Sequence, residues 1–177
     1  DHCVTGVQTY APPIANSHAN MASVLLRSGS MVDGIISNTS TITGSANTAT
    51  TDDSHANMAS VELRDGSVVD GGILVSNYSG TTITNSFNGA DQNSTANMAS
   101  VQLLDASKAN GNITNISDIL TSSNFAQLDS TANMASVQLR DASIVDGTIF
   151  NSSTISDSSN TATNISTANM GSVVMSD

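Results

Sequence analysis

Serine and threonine are abundant in this chain as candidate nucleophiles, and a histidine would be needed to activate one of them. There are three histidines and one cysteine among its 177 residues. His18 and His55 share one position of a repeated segment, which becomes threonine in the later copies. Neither these two nor His2 lies in a nucleophile-elbow or triad-like motif. Phosphate-binding glycine loops, zinc spacings and dinucleotide fingerprints are also missing. The sequence therefore predicts that the protein is not an enzyme and uses no cofactor.

Aspartates recur at two positions of the repeat, where stacked carboxylates could bind a cation. One position holds Asp33, Asp70, Asn110 and Asp146, and the other holds Asp65, Asp105 and Asp141. Carboxylate and carbonyl oxygens suit calcium, but the Gly-Gly-x-Gly-x-Asp pattern of calcium-binding repeats is absent. Arginines lie next to the second position and offset part of the repulsion between its carboxylates. The sequence favours solvated structural turns over a metal site.

Composition limits the partners that the chain can bind. Charged residues make up only 11%, but 15 acidic residues face 4 basic ones, which gives a net charge of −11. Nucleic-acid binding needs lysine and arginine to neutralise phosphates, and anionic lipid surfaces repel an acidic chain. No apolar run approaches the ~20 residues of a membrane span. We expect neither nucleic-acid binding nor membrane insertion. The start at Asp1 without a visible signal peptide is what a processed, exported protein would show, so we expect an extracellular location.

A tandem repeat determines the expected fold. Copies of one segment begin at Ser17, Ser54, Ser94 and Ser130, and a truncated fifth copy begins at Ser166. These starts are 37, 40, 36 and 36 residues apart, a period typical of solenoids, propellers and arrays. Because the apolar residues recur in register, a disordered low-complexity segment is the weaker alternative. The predicted organisation is an N-terminal arm over 1–16 and repeats over 17–53, 54–93, 94–129, 130–165 and 166–177.

Alternation with period two predicts strands within each repeat. The position between the invariant valine and leucine reads Leu25, Glu62, Gln102 and Gln138, as expected for a side chain exposed to solvent. The opposite face is therefore predicted to be the core, formed by Ala22, Ala59, Ala99 and Ala135, by Val24, Val61, Val101 and Val137, and by Leu26, Leu63, Leu103 and Leu139. With three or four short strands and polar turns in each repeat, we predict an all-β protein: a β-solenoid of about four stacked coils, ~4.8 Å apart.

Asparagine recurs on the predicted inward face, at Asn20, Asn57, Asn97, Asn133 and Asn169. A buried amide is costly unless it is paired. Stacked asparagines that donate to one another satisfy this need, as in cross-β assemblies. We predict such an asparagine ladder; the alternative is that these residues cap turns at the strand ends.

Methionine recurs on the opposite, predicted outward parity, at Met21, Met58, Met98, Met134 and Met170. A contiguous apolar stripe on a polar surface usually marks a contact, and methionine adapts to irregular partners. Two interpretations stay open: a contact between assembling subunits, or internal cover by a neighbouring arm of the same chain.

The two ends of the sequence suggest a joint between subunits. The partial repeat over 166–177 supplies 12 residues and the arm over 1–16 supplies 16, together 28 of the roughly 36 that one coil needs. We hypothesise that the arm of one subunit completes the last coil of its neighbour. The candidate joint residues are Cys3, Tyr10, Pro12, Pro13, Val173 and Met175. As the one cysteine, Cys3 can form no intrachain disulfide; it is either a small residue of the arm or an interchain tether.

The segments Asn133-Met134-Ala135-Ser136-Val137-Gln138 and Asn169-Met170-Gly171-Ser172-Val173 resemble curlin repeats, the Asn-x-Ala-x-Val-x-Gln-like strand–turn–strand units of curli fibres. The resemblance covers most of the repeat array, although the period here is longer than that of curlins. It implies a secreted functional amyloid that forms extracellular matrix fibres. Its partners would be further copies of itself and a surface nucleator or anchor protein. The alternatives are a solenoid adhesin or ice-binding module with a flat Thr/Ser face, and a passive stalk within a larger surface protein.

Overall fold

The computed structural model describes residues 18–49, 55–75, 81–91, 93, 95–164 and 167–176. Within these residues the regular elements are all strands, 24 of them, and most are two to five residues long. Successive strands wind into stacked coils about 36 residues apart. The predicted all-β solenoid is confirmed.

Each full coil contains the same succession of strands, except that in the third and fourth coils one eight-residue strand takes the place of two shorter ones. The first contains β1 (His18–Met21), β2 (Val24–Leu26), β3 (Met31–Val32), β4 (Ile36–Ser37), β5 (Thr41–Thr43) and β6 (Ala46–Ala49). The second contains β7 (His55–Met58), β8 (Val61–Leu63), β9 (Val68–Val69), β10 (Ile73–Val75), β11 (Thr81–Thr84) and β12 (Phe87–Asp91). The third contains β13 (Thr95–Met98), β14 (Val101–Leu103), β15 (Lys108–Ala109), β16 (Ile113–Leu120) and β17 (Ser123–Gln127). The fourth contains β18 (Thr131–Met134), β19 (Val137–Arg140), β20 (Ile144–Val145), β21 (Ile149–Ser156) and β22 (Ser159–Thr163). The fifth, partial coil contains β23 (Thr167–Met170) and β24 (Val173–Ser176).

Equivalent strands of successive coils pair in parallel and form five sheets among the described residues. Sheet 1 runs β1-β7-β13-β18-β23, sheet 2 β2-β8-β14-β19-β24, and sheet 3 β3-β9-β15-β20. Sheet 4 contains β4, β5, β10, β11, β16 and β21, and sheet 5 runs β6-β12-β17-β22. The register places identical repeat positions on one another, as in Asn57 on Asn97 and Asn97 on Asn133. Every repeat position therefore becomes a ladder along the solenoid axis.

A left-handed residue separates sheet 1 from sheet 2 in each coil. Ala22, Ala59, Ala99 and Ala135 have φ of 48–50°, and Gly171 has φ of 58° at the same position. One residue in this region turns the chain sharply and ends the regular alternation of side chains. The alternating segment over residues 131–140 is therefore divided into two strands at an angle, β18 and β19.

A second tight turn joins sheet 2 to sheet 3. Its two central residues both have positive φ, as in Asp65 (55°) with Gly66 (70°) and Asp105 (54°) with Ala106 (58°). The amide of Ser67 donates to the carbonyl of Arg64 across the turn (3.2 Å). These are the features of a type I′ turn. The recurring aspartates thus occupy turn positions, as the sequence predicted for solvated structural turns.

Two apolar clusters fill the solenoid. The first lies between sheets 2, 3 and 4 and contains Val61, Leu63, Val69 and Ile73 with their equivalents in other coils. The second lies between sheets 1 and 4 and contains Met, Ala and Ile ladders (Met58, Met98, Met134; Ala59, Ala99, Ala135; Ile42, Ile83, Ile119). One strand, β16, contributes Ile113 to the first cluster and Ile119 to the second.

The methionines do not face outward as the unbroken alternation predicted. Met58, Met98 and Met134 are fully buried in the second cluster, and Met21 packs against that cluster from the first coil. The physical reason is the left-handed alanine, because sheets 1 and 2 lie on either side of it and direct different parities to the interior. Of the two interpretations, internal cover describes these residues, and an assembly contact is wrong for the three buried ones.

Glycines permit the close stacking of coils at the corner between sheets 3 and 4. A Cβ at Gly111 would lie 2.6 Å from the carbonyl oxygen of Gly71, and one at Gly147 would lie 2.6 Å from that of Gly111. Because these clashes involve backbone atoms of the adjacent coil, no rotamer change relieves them. The corner therefore requires glycine in successive coils.

A stacked-amide slot as the candidate functional site

Sheets 1 and 2 fold toward sheet 4 as an arch, and a polar slot lies between them. The tip of the arch contacts sheet 4, where Asn115 Nδ2 donates to the carbonyl of Ala99 (3.0 Å). The turn at Ala99 brings Asn97 of sheet 1 opposite Gln102 of sheet 2, and Asn97 Nδ2 donates to Gln102 Oε1 (2.8 Å). The equivalent pair Asn133 and Gln138 is 3.3 Å apart. Side chains that face away from both apolar clusters thus satisfy one another inside the slot.

The asparagines of sheet 1 form a continuous hydrogen-bonded ladder in the slot. Each Nδ2 donates to Oδ1 of the preceding coil, over 3.0 Å from Asn57 to Asn20, 2.8 Å from Asn97 to Asn57, 2.9 Å from Asn133 to Asn97 and 2.9 Å from Asn169 to Asn133. Asn57, Asn97 and Asn133 are buried. An asparagine side chain has two N–H donors and one carbonyl oxygen that accepts through two lone pairs. Each inner asparagine therefore uses one N–H along the ladder and the other across the slot.

The opposite wall of the slot is less regular. Gln102 Nε2 donates to Gln138 Oε1 (2.6 Å), and both side chains are buried. This position, predicted to be exposed to solvent because it varies, is thus inside the slot. Its first and last rungs are apolar, Leu25 and Val174, which pair with Glu62 and Gln138 respectively.

Glu62 brings a buried charge into the second coil. Its side chain is 1% exposed, and Oε2 accepts from Asn57 Nδ2 (2.9 Å). Oε1 lies 3.5 Å from Arg64 Nε, and Oε2 lies 3.6 Å from His55 Nδ1. Because Arg64 Nη1 can only donate to His55 Nε2 (3.0 Å), the geometry gives His55 the Nδ1–H tautomer. This arrangement pairs a carboxylate, a guanidinium and an imidazole, and the imidazole Nε2, to which the nucleophile of a catalytic triad would donate, accepts from Arg64 instead.

Two further asparagine ladders line the interior, and sequence reasoning missed both. On sheet 5, Asn47 donates to Asn88, Asn88 to Asn124 and Asn124 to Asn160, over 2.9–3.0 Å. On sheet 4, Asn115 donates to Asn151 (3.0 Å). The available signal was their spacing of 41, 36 and 36 residues on sheet 5, which follows the repeat. Donation in these two ladders runs toward the following coil, opposite to the ladder of sheet 1.

The candidate joint residues fall into two groups. Val173 and Met175 lie on β24 and are 42% and 70% exposed, and Met170 on β23 is 43% exposed. Cys3, Tyr10, Pro12 and Pro13 lie outside the described residues. The exposed three occupy the same ladder positions as the buried Met134, Val137 and Leu139.

The acidic positions carry an ion pair and a hydrogen bond between side chains of adjacent coils. Lys108 Nζ lies 2.7 Å from Asp146 Oδ2, and Asn110 Nδ2 donates to Asp70 Oδ1 (2.6 Å). Among the residues that the structure describes, no group of three His, Cys, Asp or Glu side chains is placed to hold a metal ion. Across the same residues, no helix has the length and apolar character needed to cross a membrane.

The slot therefore contains structural chemistry: amides that bind amides along the solenoid axis. Comparison with family models, with curated proteins and with solved structures gives no match to this chain.

Proposed function

We propose that the protein is a structural subunit of an extracellular, self-assembling filament whose subunits stack end to end and complete a shared β-coil. The observation that carries this proposal is the exposure of core ladder positions on the fifth coil. Met170, Val173 and Met175 are 42–70% exposed, whereas the residues they stack on are at most 7% exposed. Fully burying one such side chain stabilises a structure by about 1.5–3 kcal/mol. A further coil stacked on β23 and β24 supplies that stabilisation.

The first coil of a second copy is the matching cover. Its β1 and β2 present Met21, Val24 and Leu26, the same ladder positions as the exposed residues of the fifth coil. Its Asn20 would donate to Asn169, as Asn169 donates to Asn133 within one subunit. Since all strands are parallel and the ladders are directional, this contact joins opposite ends of two copies and produces a polar filament.

Electron microscopy and fibre diffraction of the purified chain test the proposal. We expect long unbranched filaments with a meridional reflection near ~4.7–4.8 Å, the spacing of stacked strands. Met175→Glu should prevent elongation, because it places a charge in the contact between subunits. The single subunit should tolerate this charge, because the side chain at position 175 is exposed there. Leu120→Glu, the same kind of change at an exposed position on the outer side of sheet 4, is the matched control and should leave the filaments intact. Equal elongation of the two variants would refute the end-to-end contact.

The arm over 1–16 is the second part of the proposal. In this proposal the arm of the neighbouring subunit, which precedes its β1 in sequence, supplies the residues that complete the fifth coil beyond β23 and β24. Deleting residues 1–16 should abolish filaments seen by electron microscopy. Normal filaments from the truncated chain would leave the stacking of coils in place and remove the role of the arm.

The extracellular location rests on the resemblance to curlins. Fractionation of the source organism tests it: the protein should be in the matrix or on the cell surface, and recovery from the cytosol would contradict this part of the proposal.

A further inference from the structure

A notch interrupts the rim of the slot in the third coil. The position after the core leucine is Arg27, Arg64 and Arg140 in three coils but Leu104 in the third. Leu104 is short and buried, so the stack has a gap between the guanidinium of Arg64 below and that of Arg140 above. A cavity of about 280 Å³ opens there to solvent.

The walls of the notch combine donors and acceptors of both charges. Asp105 and Asp141 line it beside the two arginines, and Arg64 Nε lies 3.6 Å from Asp105 Oδ2. Asn93 and Thr95 add an amide and a hydroxyl. Two guanidiniums and two carboxylates lie around the opening, and Glu62, buried behind the wall, pairs with Arg64.

The mixture of charges around the opening determines which ligands this site favours. An anion entering the notch meets Asp105 and Asp141, and a cation meets Arg64 and Arg140; each is therefore repelled by like charges beside the groups that attract it. A neutral ligand with many hydroxyls meets no such repulsion. Each hydroxyl both donates and accepts, which matches the alternation of guanidinium donors and carboxylate acceptors around the rim.

We propose that this notch binds a neutral carbohydrate unit. Its volume is at the small end of ligand sites and suits one sugar ring of a longer chain. Leu104 closes the back of the notch, while Arg140, Asp105 and Asn93 are placed around the opening for the hydroxyls. An extended peptide would need an open strand edge, and β14 is paired on both sides here, with β8 and β19.

This inference goes beyond the proposed filament and does not depend on it. The notch lies among coils two to four of a single subunit, away from β23 and β24. If subunits do assemble, each contributes one notch, so a filament would bind a polysaccharide at many points along its length.

The test uses the full chain, labelled and kept unassembled, on a printed array of neutral oligosaccharides, with uronate and amino-sugar oligosaccharides as charged comparators. We expect binding to one or more neutral structures, with a dissociation constant of about 1 mM for a single unit. Leu104→Arg fills the notch with the residue found in the coils on either side and should weaken binding at least tenfold. Ile116→Arg adds the same charge at an exposed position of sheet 4 and should bind as the unmodified chain does.

A second variant keeps the test valid if Leu104→Arg fails to fold, which circular dichroism would show. Asp105→Asn changes one acceptor on an exposed side chain and should also weaken binding severalfold. Absence of binding to all neutral oligosaccharides, stronger binding to the charged set, or unchanged binding by both notch variants would each overturn the proposal.

Discussion

Asn97→Ala removes the middle rung of the asparagine ladder and tests what stabilises the slot. Asn97 is fully buried. It donates to Asn57 Oδ1 and to Gln102 Oε1, both over 2.8 Å, and accepts from Asn133 Nδ2 over 2.9 Å. Alanine removes all three bonds and leaves one N–H of Asn133 without that acceptor. With about 1 kcal/mol for each bond and ~1–3 kcal/mol for a buried unpaired group, we expect a loss of about 4–6 kcal/mol in the free energy of unfolding.

Asn169→Ala is the matched control at the end of the ladder. Asn169 is half-buried and donates one ladder bond, to Asn133 Oδ1, so the same change should cost about 1 kcal/mol. Urea unfolding of the unassembled chain, followed by circular dichroism of the strands, measures both. If the two variants differ by less than about 1 kcal/mol, the ladder does not provide the stabilisation that we assign to it.

Asn97→Asp tests the contribution of the two N–H donors, because aspartate has nearly the same size and shape as asparagine but lacks those donors. The carboxylate keeps the size of the side chain but faces two acceptors, Asn57 Oδ1 and Gln102 Oε1, in a site without solvent. The folded state therefore raises the pKa of the introduced carboxyl above the ordinary value of about 3.9. The variant keeps its stability below this ordinary pKa, and it loses stability as the pH rises from there through the raised pKa of the folded state. The deficit relative to Asn97→Ala should be larger at pH 7 than at pH 3, and a pH-independent difference would contradict the argument.

Three further changes test other parts of the structure by the same unfolding measurement. Thr121 has φ of 50° where the other coils have Gly44, Asn85 and Asp157, so Thr121→Asn should stabilise the protein by about 0.5–1 kcal/mol; a loss would show that the threonine is not strained. The double variant His55→Thr with Glu62→Gln recreates the pair found in the fourth coil. Its loss in the free energy of unfolding should be smaller than the summed losses of the two single variants by about 1–3 kcal/mol. Additive losses would mean that the buried pair is not coupled. Gly111→Ala places a Cβ against the backbone of Gly71 and should lower the free energy of unfolding by about 2–3 kcal/mol. In the control Gly29→Ala the new Cβ has nothing within 4 Å, so the loss should be only the ~1–2 kcal/mol of its left-handed φ. Equal losses would mean that the coils are not closely stacked at Gly111.

The repeat and its period predicted the fold because a residue's ladder neighbours are its own copies. Once Val61, Val101 and Val137 are seen to recur in phase, parallel stacking in register follows, and their burial in the structure agrees with the predicted core face. The aspartates were predictable as turn residues for a similar reason, since Asp-Gly favours the left-handed conformations of a type I′ turn.

The side of the chain on which methionine lies could not be predicted from alternation. Parity holds only while the backbone stays extended, and one left-handed residue at Ala99 or Ala135 ends it. Alanine rarely adopts that conformation, so its presence gave no warning. The one signal was Gly171, which replaces alanine in the fifth copy and has the same positive φ. The slot between sheets 1 and 2, and with it the burial of Glu62 and Gln102, depends on that one dihedral.

The opposed directions of the amide ladders have an electrostatic consequence. Parallel sheets carry little net dipole along the stacking axis, but a file of side-chain amides that all donate in one direction sums its dipoles as it lengthens. In sheet 1 donation runs toward the preceding coil, as from Asn97 to Asn57, and in sheet 5 toward the following coil, as from Asn88 to Asn124. The files of sheets 1 and 5 therefore oppose each other in every coil that contains both, so the axial dipoles of these two files do not add up as the stack lengthens.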